Sequence, residues 1–271
     1  MNLEELKSMA RDIRVDILKM VAEAGSGHPG GSLSAADIMC ALYFGGVLKH
    51  DAENPKAEDR DRFLLSKGHA APALYATLAE AGYFPKEELA TLRKYGSMLQ
   101  GHPDMRKTPG IDSNTGSLGQ GISVAVGMAL AAKLGGKSYK VYTMVGDGEC
   151  QEGLVWEASM AAAHYKLDNF TVMLDHNRLQ IDGANDDVLS LGDIVGKFAA
   201  FGFDTYTVDG HDIDAVTEAL KAPFTPGKPK FICLETIKGK GVSFMENQAS
   251  WHGTAIKTAD YEAAIKELEA L

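Results

Sequence analysis

The stretch VGDGECQEGLVWEASMAAAHYKLDNFTVMLDHNRLQIDG, residues 145–183, decides the fold class. Its apolar runs KVYTMVG (140–146) and FTVMLD (170–175) predict two buried strands, and a helical pattern separates them. A strand–helix–strand unit of this length forms a right-handed crossover between parallel strands. Asp147 and Asn177 each follow one of the strands. We therefore expect both side chains at the same edge of a parallel sheet.

The same alternation of apolar runs and helical patterns continues along the rest of the chain. It predicts an α/β fold, with a parallel sheet and helices on both faces. Without repeats, linkers or low-complexity tracts, residues 1–271 are expected to form a single domain. The other predicted strands are 62–66, 203–210 and 230–236, and the predicted helices lie near 35–44, 71–81, 86–95, 121–134, 151–165, 212–220 and 259–270, after an amphipathic pattern at the N-terminus.

Composition and charge exclude several classes of function. The 45% apolar and 24% charged residues are ordinary for a soluble globular protein. A formal net charge of −10 argues against binding nucleic acid or an anionic membrane surface. No run of residues is long and apolar enough to predict a membrane span. Three widely spaced cysteines and the lack of a signal peptide predict a cytoplasmic protein.

The Gly-Asp-Gly segment and the later asparagine predict a site for a divalent cation and a diphosphate. Gly-Asp-Gly alone is also typical of ordinary turns, but an Asn about thirty residues later, after a second strand, favours a site. Carboxylate and amide oxygens from Asp147 and Asn177 suit Mg²⁺ or Ca²⁺ rather than zinc. Gly146 and Gly148 let the backbone approach phosphate oxygens, and the helix predicted near Glu152 adds its positive N-terminal end.

This combination resembles the thiamine diphosphate motif, and the chain as a whole resembles the N-terminal, diphosphate-binding half of transketolases. Six segments carry the resemblance in order along nearly the whole chain. The resemblance implies the thiamine diphosphate-binding fold. The segments are GSGHPGGSLS (25–34), SKGHA (66–70), GHPD (101–104), TGSLGQG (115–121), GDGECQEG (146–153) and HNRLQIDG (176–183).

The resemblance also implies a set of site residues. Metal ligands would be Asp147, Asn177 and the backbone carbonyl of Leu179, holding Mg²⁺, with Ca²⁺ or Mn²⁺ as alternatives. Ser117 departs from the Gly-Pro-Leu of many relatives, with little expected consequence because backbone groups dominate there. The implied cofactor-binding residues are His69, Gly116, Ser117, Leu118, Gly146, Asp147, Gly148, Asn177, Ile181 and His252. The implied catalytic residues are His28, His69, His102, Glu152 and His252.

Each of these histidines has a plainer interpretation. A lone histidine beside a glycine is more often a solvated loop residue, and Glu152 could simply be a first-turn helix acid. Neutral imidazoles, however, suit a reaction that moves protons on sugar hydroxyls near pH 7. A zinc site is disfavoured because the histidines sit in distant loops without HxH or HxxxH spacing. By resemblance, Glu152 belongs to a proton-relay network at a subunit interface.

Transketolase chemistry transfers a two-carbon ketol unit between sugar phosphates of the pentose phosphate pathway, with thiamine diphosphate and Mg²⁺. Activation of the cofactor needs a glutamate from a pyrimidine-binding half, which this sequence does not contain. We therefore expect a separate C-terminal subunit, and two copies of each chain in an α2β2 heterotetramer.

Four alternatives accompany this interpretation. A split enzyme acting on another sugar, of sulfo-sugar or apulose type, fits the same motifs. The sugar stays undetermined because the residues that bind its phosphate are expected on the partner subunit. Deoxyxylulose-phosphate synthase is disfavoured by the Pro-Gly-Gly after His28. The α chain of a 2-oxo acid dehydrogenase would lack GHPGG and TGSLGQG. A non-catalytic cofactor-binding subunit would not need His28, His102 and His252.

Overall fold

The computed structural model describes residues 1–270, which contain nine α-helices and seven strands. The helices are α1 (Leu3–Ala24), α2 (Pro29–Phe44), α3 (Ala71–Glu80), α4 (Gln120–Leu134), α5 (Gly153–His164), α6 (Asn185–Leu189), α7 (Ile194–Phe201), α8 (Ile213–Lys221) and α9 (Thr258–Glu269). The strands are β1 (Arg62–Leu65), β2 (Val141–Gly146), β3 (Phe170–His176), β4 (Leu179–Gln180), β5 (Gly183–Ala184), β6 (Asp204–Asp209) and β7 (Lys230–Glu235). Short 3-10 helices occupy Gly68–Ala70, Lys86–Thr91, Gly148–Gln151 and Ala249–Trp251.

Five strands form one parallel sheet in the order β1-β2-β3-β7-β6. The neighbours β2 and β3 are connected through α5, as the sequence predicted, and Gly146 pairs with Asp175 at their carboxyl ends. Each predicted strand of this sheet lies within about one residue of its observed bounds, the scatter expected of any assignment of strand ends. The loops after β1, β2, β3 and β7 therefore meet at one edge.

Side chains alternate between the two faces of the sheet and build two apolar layers. On β1, Phe63 and Leu65 pack into the layer that contains α1, α2, α3, α8 and α9. Leu64 packs into the opposite layer with α4, α5 and α7. Strands β1, β2, β3 and β7 are largely continuous apolar runs because helices cover both faces, whereas the edge strand β6 (DTYTVD) is partly exposed. The predicted α/β fold with a covered parallel sheet is confirmed.

Helix α2 brings the GHPGG segment to the site edge. It begins at Pro29, earlier than the sequence pattern predicted, because two glycines weaken the helical signal. Close packing explains one of them, since a Cβ at Gly30 would lie 2.8 Å from the backbone oxygen of Trp251. The amphipathic N-terminal pattern forms α1, whose Asn2 and Glu5 make a capping box.

Two local predictions fail. The helix predicted at 86–95 is only the 3-10 helix Lys86–Thr91, because Leu92 leaves the helical conformation with ψ of 127° and Arg93 takes a left-handed conformation with φ of 61°. No helix or strand was predicted between the Asp-His-Asn and residue 203, but this segment contains the β4–β5 hairpin, α6 and α7. Within residues 1–270, every helix is too short or too polar to cross a membrane.

Candidate active site

A cavity of about 340 Å³ opens at the carboxyl ends of the strands. Ligand sites in open α/β sheets lie at this edge. Ser117 and His102 are both exposed and do not line the cavity, although the His102 side chain lies against the lining residue Gly116. Twelve of the residues implied by sequence line it: His28, His69, Gly116, Leu118, Gly146, Asp147, Gly148, Glu152, Asn177, Leu179, Ile181 and His252.

Asp147 is a buried carboxylate at the tip of β2, with 2% of its surface exposed. Its Oδ1 accepts the N–H of Gly148 at 2.8 Å, and its Oδ2 accepts the N–H of Arg178. Burial raises the pKa of Asp147, and the nearby charge of Asp175 raises it further. A buried carboxylate held next to another negative charge is stabilised by a cation.

Asn177 and Leu179 supply neutral oxygens to the same cavity. The Asn177 Oδ1 accepts the N–H of Leu179 at 3.2 Å, which orients the amide oxygen. The Leu179 carbonyl accepts a hydrogen bond from the Lys238 ammonium at 2.9 Å. A carbonyl has two lone pairs, so one remains for a metal ion. The three oxygens implied by sequence are therefore together and fit a hard cation.

Asp175 is the fully buried centre of a polar network beneath the cavity. Its oxygens accept hydrogen bonds from Ser34 (2.6 Å), Asn177 (3.3 Å), Thr236 and Lys67. Burial alone would raise the pKa of Asp175, but the Lys67 ammonium and the hydroxyl donors outweigh it and lower the pKa. The network joins α2 and the ends of β1, β3 and β7, so it fixes the edge that carries the site.

Three histidines implied by sequence come together over the cavity. The ring centroids of His28, His69 and His252 lie 5.0 to 5.7 Å apart. Burial lowers the pKa of His28 to about 4 and that of His252 to about 3, with added repulsion from Arg93 and Lys238 respectively. Burial also holds the pKa of His69 well below its usual value. All three imidazoles are therefore neutral at pH 7.

His252 is fixed in one tautomer. Its Nδ1 lies 3.2 Å from the Lys238 ammonium, which can only donate, so Nδ1 accepts and Nε2 carries the proton. His28 differs, because its Nδ1 is buried without a hydrogen-bond partner among residues 1–270. An orphaned imidazole nitrogen in a cavity is a ready partner for a ligand hydroxyl.

Glu149 is a buried carboxylate close to the start of α5. It lies in the preceding 3-10 helix and is buried, and burial raises its pKa. Its carboxyl group accepts hydrogen bonds from the Ser66 hydroxyl at 2.5 Å and from the backbone N–H groups of Gly119 at 2.9 Å and Gly146 at 3.0 Å. Glu149 therefore joins the β1 tip, the β2 tip and the start of α4. Glu152, by contrast, is exposed at the N-cap of α5.

Residues 6–269 match the family model described as transketolase, thiamine diphosphate binding domain. The chain belongs to the transketolase family. It is 46% identical to the 6-deoxy-6-sulfo-D-fructose transketolase subunit SqwG of Clostridium sp. (strain MSTE9), over 98% of this chain and 96% of that protein. It is 41% identical to an apulose-4-phosphate transketolase subunit of Phocaeicola vulgatus, over 99% of this chain and 95% of that protein.

The solved transketolase of Campylobacter jejuni has the same fold, with a TM-score of 0.94 at 34% identity. The match covers 99% of this chain and 43% of that one. Likewise, the chain is 43% identical to the transketolase of Homo sapiens over 42% of that protein. The family prediction is confirmed, and with it a transferase of the transketolase type that carries a thiamine diphosphate-binding domain.

Two lysines of this transketolase site had only a weak signal in the sequence. Lys67 and Lys238 are each 2% exposed and line the cavity beside Gly148. Burial lowers the pKa of Lys238 to about 8. Two ammonium groups and glycine N–H groups make a cradle that fits a diphosphate. Their only sequence signal was position, since both follow apolar runs, in SKGHA and ETIKGKG.

Proposed function

We propose that this chain is the diphosphate-binding subunit of a split transketolase, acting as one domain. With thiamine diphosphate, Mg²⁺ and a separate pyrimidine-binding subunit, it transfers a two-carbon ketol unit from a ketose phosphate to an aldose phosphate. One observation carries the proposal. The hard oxygens of Asp147 and Asn177 and three neutral imidazoles line the same cavity.

The contacts in the cavity support an assignment of cofactor and metal ligands. Asp147, Asn177 and the Leu179 carbonyl would hold Mg²⁺, and Lys238 would neutralise part of the diphosphate charge. Lys67, whose charge is already balanced by Asp175, would donate a hydrogen bond to the diphosphate. Thiamine diphosphate supplies the electron sink for breaking and forming the carbon–carbon bond beside a ketose carbonyl. The protein contributes binding, orientation and proton handling.

The histidines handle the sugar. His252 donates its Nε2–H to a substrate oxygen, because Lys238 fixes the opposite tautomer. His28 offers the unpaired Nδ1 as an acceptor for a hydroxyl proton. His102 lies at the rim, next to Gly116, where it meets substrate entering the cavity. Neutral imidazoles serve these roles near pH 7.

The partner subunit covers the open side of the cavity. Ile181 lines the cavity, yet 68% of its surface is exposed. Glu152 also lines the cavity and is exposed. In this proposal the partner subunit buries Ile181 and closes the mouth of the cavity. Glu152 then belongs to the proton relay between sites of an α2β2 assembly. We also propose a cytoplasmic location, supported by three free cysteines.

A second candidate is the same chemistry on a different sugar. The relatives named for 6-deoxy-6-sulfo-D-fructose and apulose 4-phosphate are 46% and 41% identical to this chain. Substrate discrimination would lie with the partner subunit, which holds the phosphate or sulfonate end in this proposal.

Co-expression of the chain with the C-terminal subunit tests both candidates. Ketol transfer is measured on sugar phosphates, the sulfo-sugar and apulose 4-phosphate, for the pair and for each chain alone. We expect activity only for the pair. Transfer by the single chain would contradict the need for a partner, and failure of the pair to bind thiamine diphosphate would refute the proposal.

Asp147→Asn tests the metal ligand in the same complex. It removes the only charged ligand, so calorimetry should detect a large loss of Mg²⁺-dependent thiamine diphosphate affinity. Asp187→Asn makes the same charge change at an exposed position on α6 and should bind normally. Equal affinity in both variants would mean that Gly-Asp-Gly is only a turn.

A further inference from the structure

A second group of metal-ligand side chains lies at the same edge of the sheet, on the face opposite the Asp175 side chain. In residues 1–270, His176, Cys233 and Glu235 have ligand atoms that all lie within 4.8 Å of one another. His176 pairs with Glu235 in register at the ends of β3 and β7. Cys233 lies two residues before Glu235 on the same strand, so both side chains point to one face. The strand register therefore places the three side chains next to one another.

The distances in this cluster suit a tetrahedral ion. The His176 Nδ1 lies 3.1 Å from Glu235 Oε1 and 3.6 Å from Cys233 Sγ, and the sulfur lies 3.8 Å from the same oxygen. Zinc bonds of about 2.0 to 2.3 Å at tetrahedral angles require ligand atoms about 3.4 to 3.6 Å apart. Each observed distance is within about 0.3 Å of that range. An ion thus fits with small side-chain adjustments.

The surroundings resemble those of protein metal sites. Arg178 Nη2 donates to Glu235 Oε2 at 2.5 Å, which orients the carboxylate and leaves Oε1 for the cluster. Outer hydrogen bonds of this kind commonly hold metal ligands in place. Cys233 is buried, but the His176 and Glu235 side chains are 21% and 34% exposed. A fourth ligand, such as water, can approach from that side.

We propose that His176, Cys233 and Glu235 bind one divalent transition-metal ion of the zinc type. Thiolate and imidazole ligands favour such ions over Mg²⁺ or Ca²⁺, so this site is chemically distinct from that of Asp147. Binding forms the sulfur–metal bond and releases the thiol proton to solvent. Because His176 directly precedes Asn177, the ion fixes the strand end that carries the proposed magnesium ligand.

The test uses the full chain without a purification tag, stripped of metal and held in excess Mg²⁺. Co²⁺ is titrated as the probe, because a cobalt–thiolate bond gives a near-ultraviolet charge-transfer band and tetrahedral cobalt absorbs strongly in the visible. We expect one Co²⁺ per chain with both signals, displaced by Zn²⁺. A second ion on the three histidines of the cavity would lack the thiolate band.

Variants decide between the cluster and other sites. Cys233→Ser should abolish the thiolate band, and His176→Gln should weaken Co²⁺ binding about tenfold or more. Cys40→Ser changes another buried cysteine and should leave the band intact. Zn²⁺ should raise the melting temperature of the wild type but not of His176→Gln, a readout that does not depend on the cysteine variant folding.

Three results would overturn the proposal: no thiolate band in the wild type, a band that persists in Cys233→Ser, or unchanged affinity in His176→Gln. Thiamine diphosphate binding with Mg²⁺ is measured in the same samples. Loss of the transition-metal site with intact cofactor binding would therefore leave the proposed function untouched.

Discussion

The buried ion pair between Lys67 and Asp175 should dominate the stability of the site edge. Both side chains are almost completely inaccessible, with 2% and 0% of their surface exposed. Lys67→Met keeps a side chain of similar length but leaves the Asp175 charge buried without its countercharge. Removing one partner of a buried pair costs about 3 to 5 kcal/mol. For a chain of this size, that corresponds to a fall in melting temperature of about 6 to 20 °C.

Urea denaturation and thermal melting, followed by circular dichroism and tryptophan fluorescence, measure the loss. Lys94→Met provides the matched control, because Lys94 pairs with Glu23 at the surface, with both side chains about half exposed. Exposed pairs contribute about 0 to 1 kcal/mol. The double variant Lys67→Met/Asp175→Asn should lose less stability than the two single variants combined, since neither charge remains.

The pH dependence gives a second signature with a definite sign. The lowered pKa of Asp175 contributes stability that is present above the unfolded pKa of about 3.9 and is lost as pH falls through the folded value. In Lys67→Met, burial without the ammonium should raise that pKa, so stability would fall as pH rises above about 4. An equal loss of stability in Lys67→Met and Lys94→Met, or a coupling free energy near zero in the double variant, would show that the buried ion pair does not stabilise the site edge.

Two further predictions concern packing and protonation at the site. Gly68→Ala should destabilise the fold by about 1 to 3 kcal/mol, because its Cβ would lie 2.6 Å from the backbone nitrogen of Gly116. Gly127→Ala is the control, because the space around its Cβ is open. Equal melting temperatures of the two variants would contradict the prediction. In NMR titrations, His28 should titrate near pH 4 and His252 near pH 3. The free energy of unfolding should therefore increase as pH rises from these values to about 6.5. Titration of either histidine near pH 6.5 would exclude the buried, neutral state.

The sequence predicted the sheet well because four of its five strands, β1, β2, β3 and β7, are almost completely buried, whereas the edge strand β6 is partly exposed. Continuous apolar runs such as FTVMLD have a strong signal, and a polar residue follows where the strand ends. Segments stabilised mainly by tertiary contacts had no such signal. Helix α7 has only eight residues and depends on Phe198, which stacks on Phe231 with centroids 3.9 Å apart. No local pattern reveals that contact.

The sequence predicted the site residues that directly follow strands. It did not predict the residues whose role depends on being buried in the folded chain. Asp147 and Asn177 could be placed from their spacing, since one crossover brings them to the same edge. Lys67 and Lys238 resemble surface lysines in sequence, and only the packing of α2 and the loop after β7 buries them. Asp175 was predicted only as the last residue of a strand, because its four hydrogen-bond donors come mainly from segments distant in sequence.

The three buried thiols give the molecule its own reporters of local opening. Burial raises the pKa of Cys40 and Cys233 to about 12 and holds that of Cys150 well above its usual value, so none reacts as a thiolate in the closed fold when no metal ion is bound. Cys40 lies in α2, Cys150 in the turn after β2, and Cys233 in β7. The rate at which a thiol reagent labels each one therefore measures how often that part of the molecule opens, without introducing a probe.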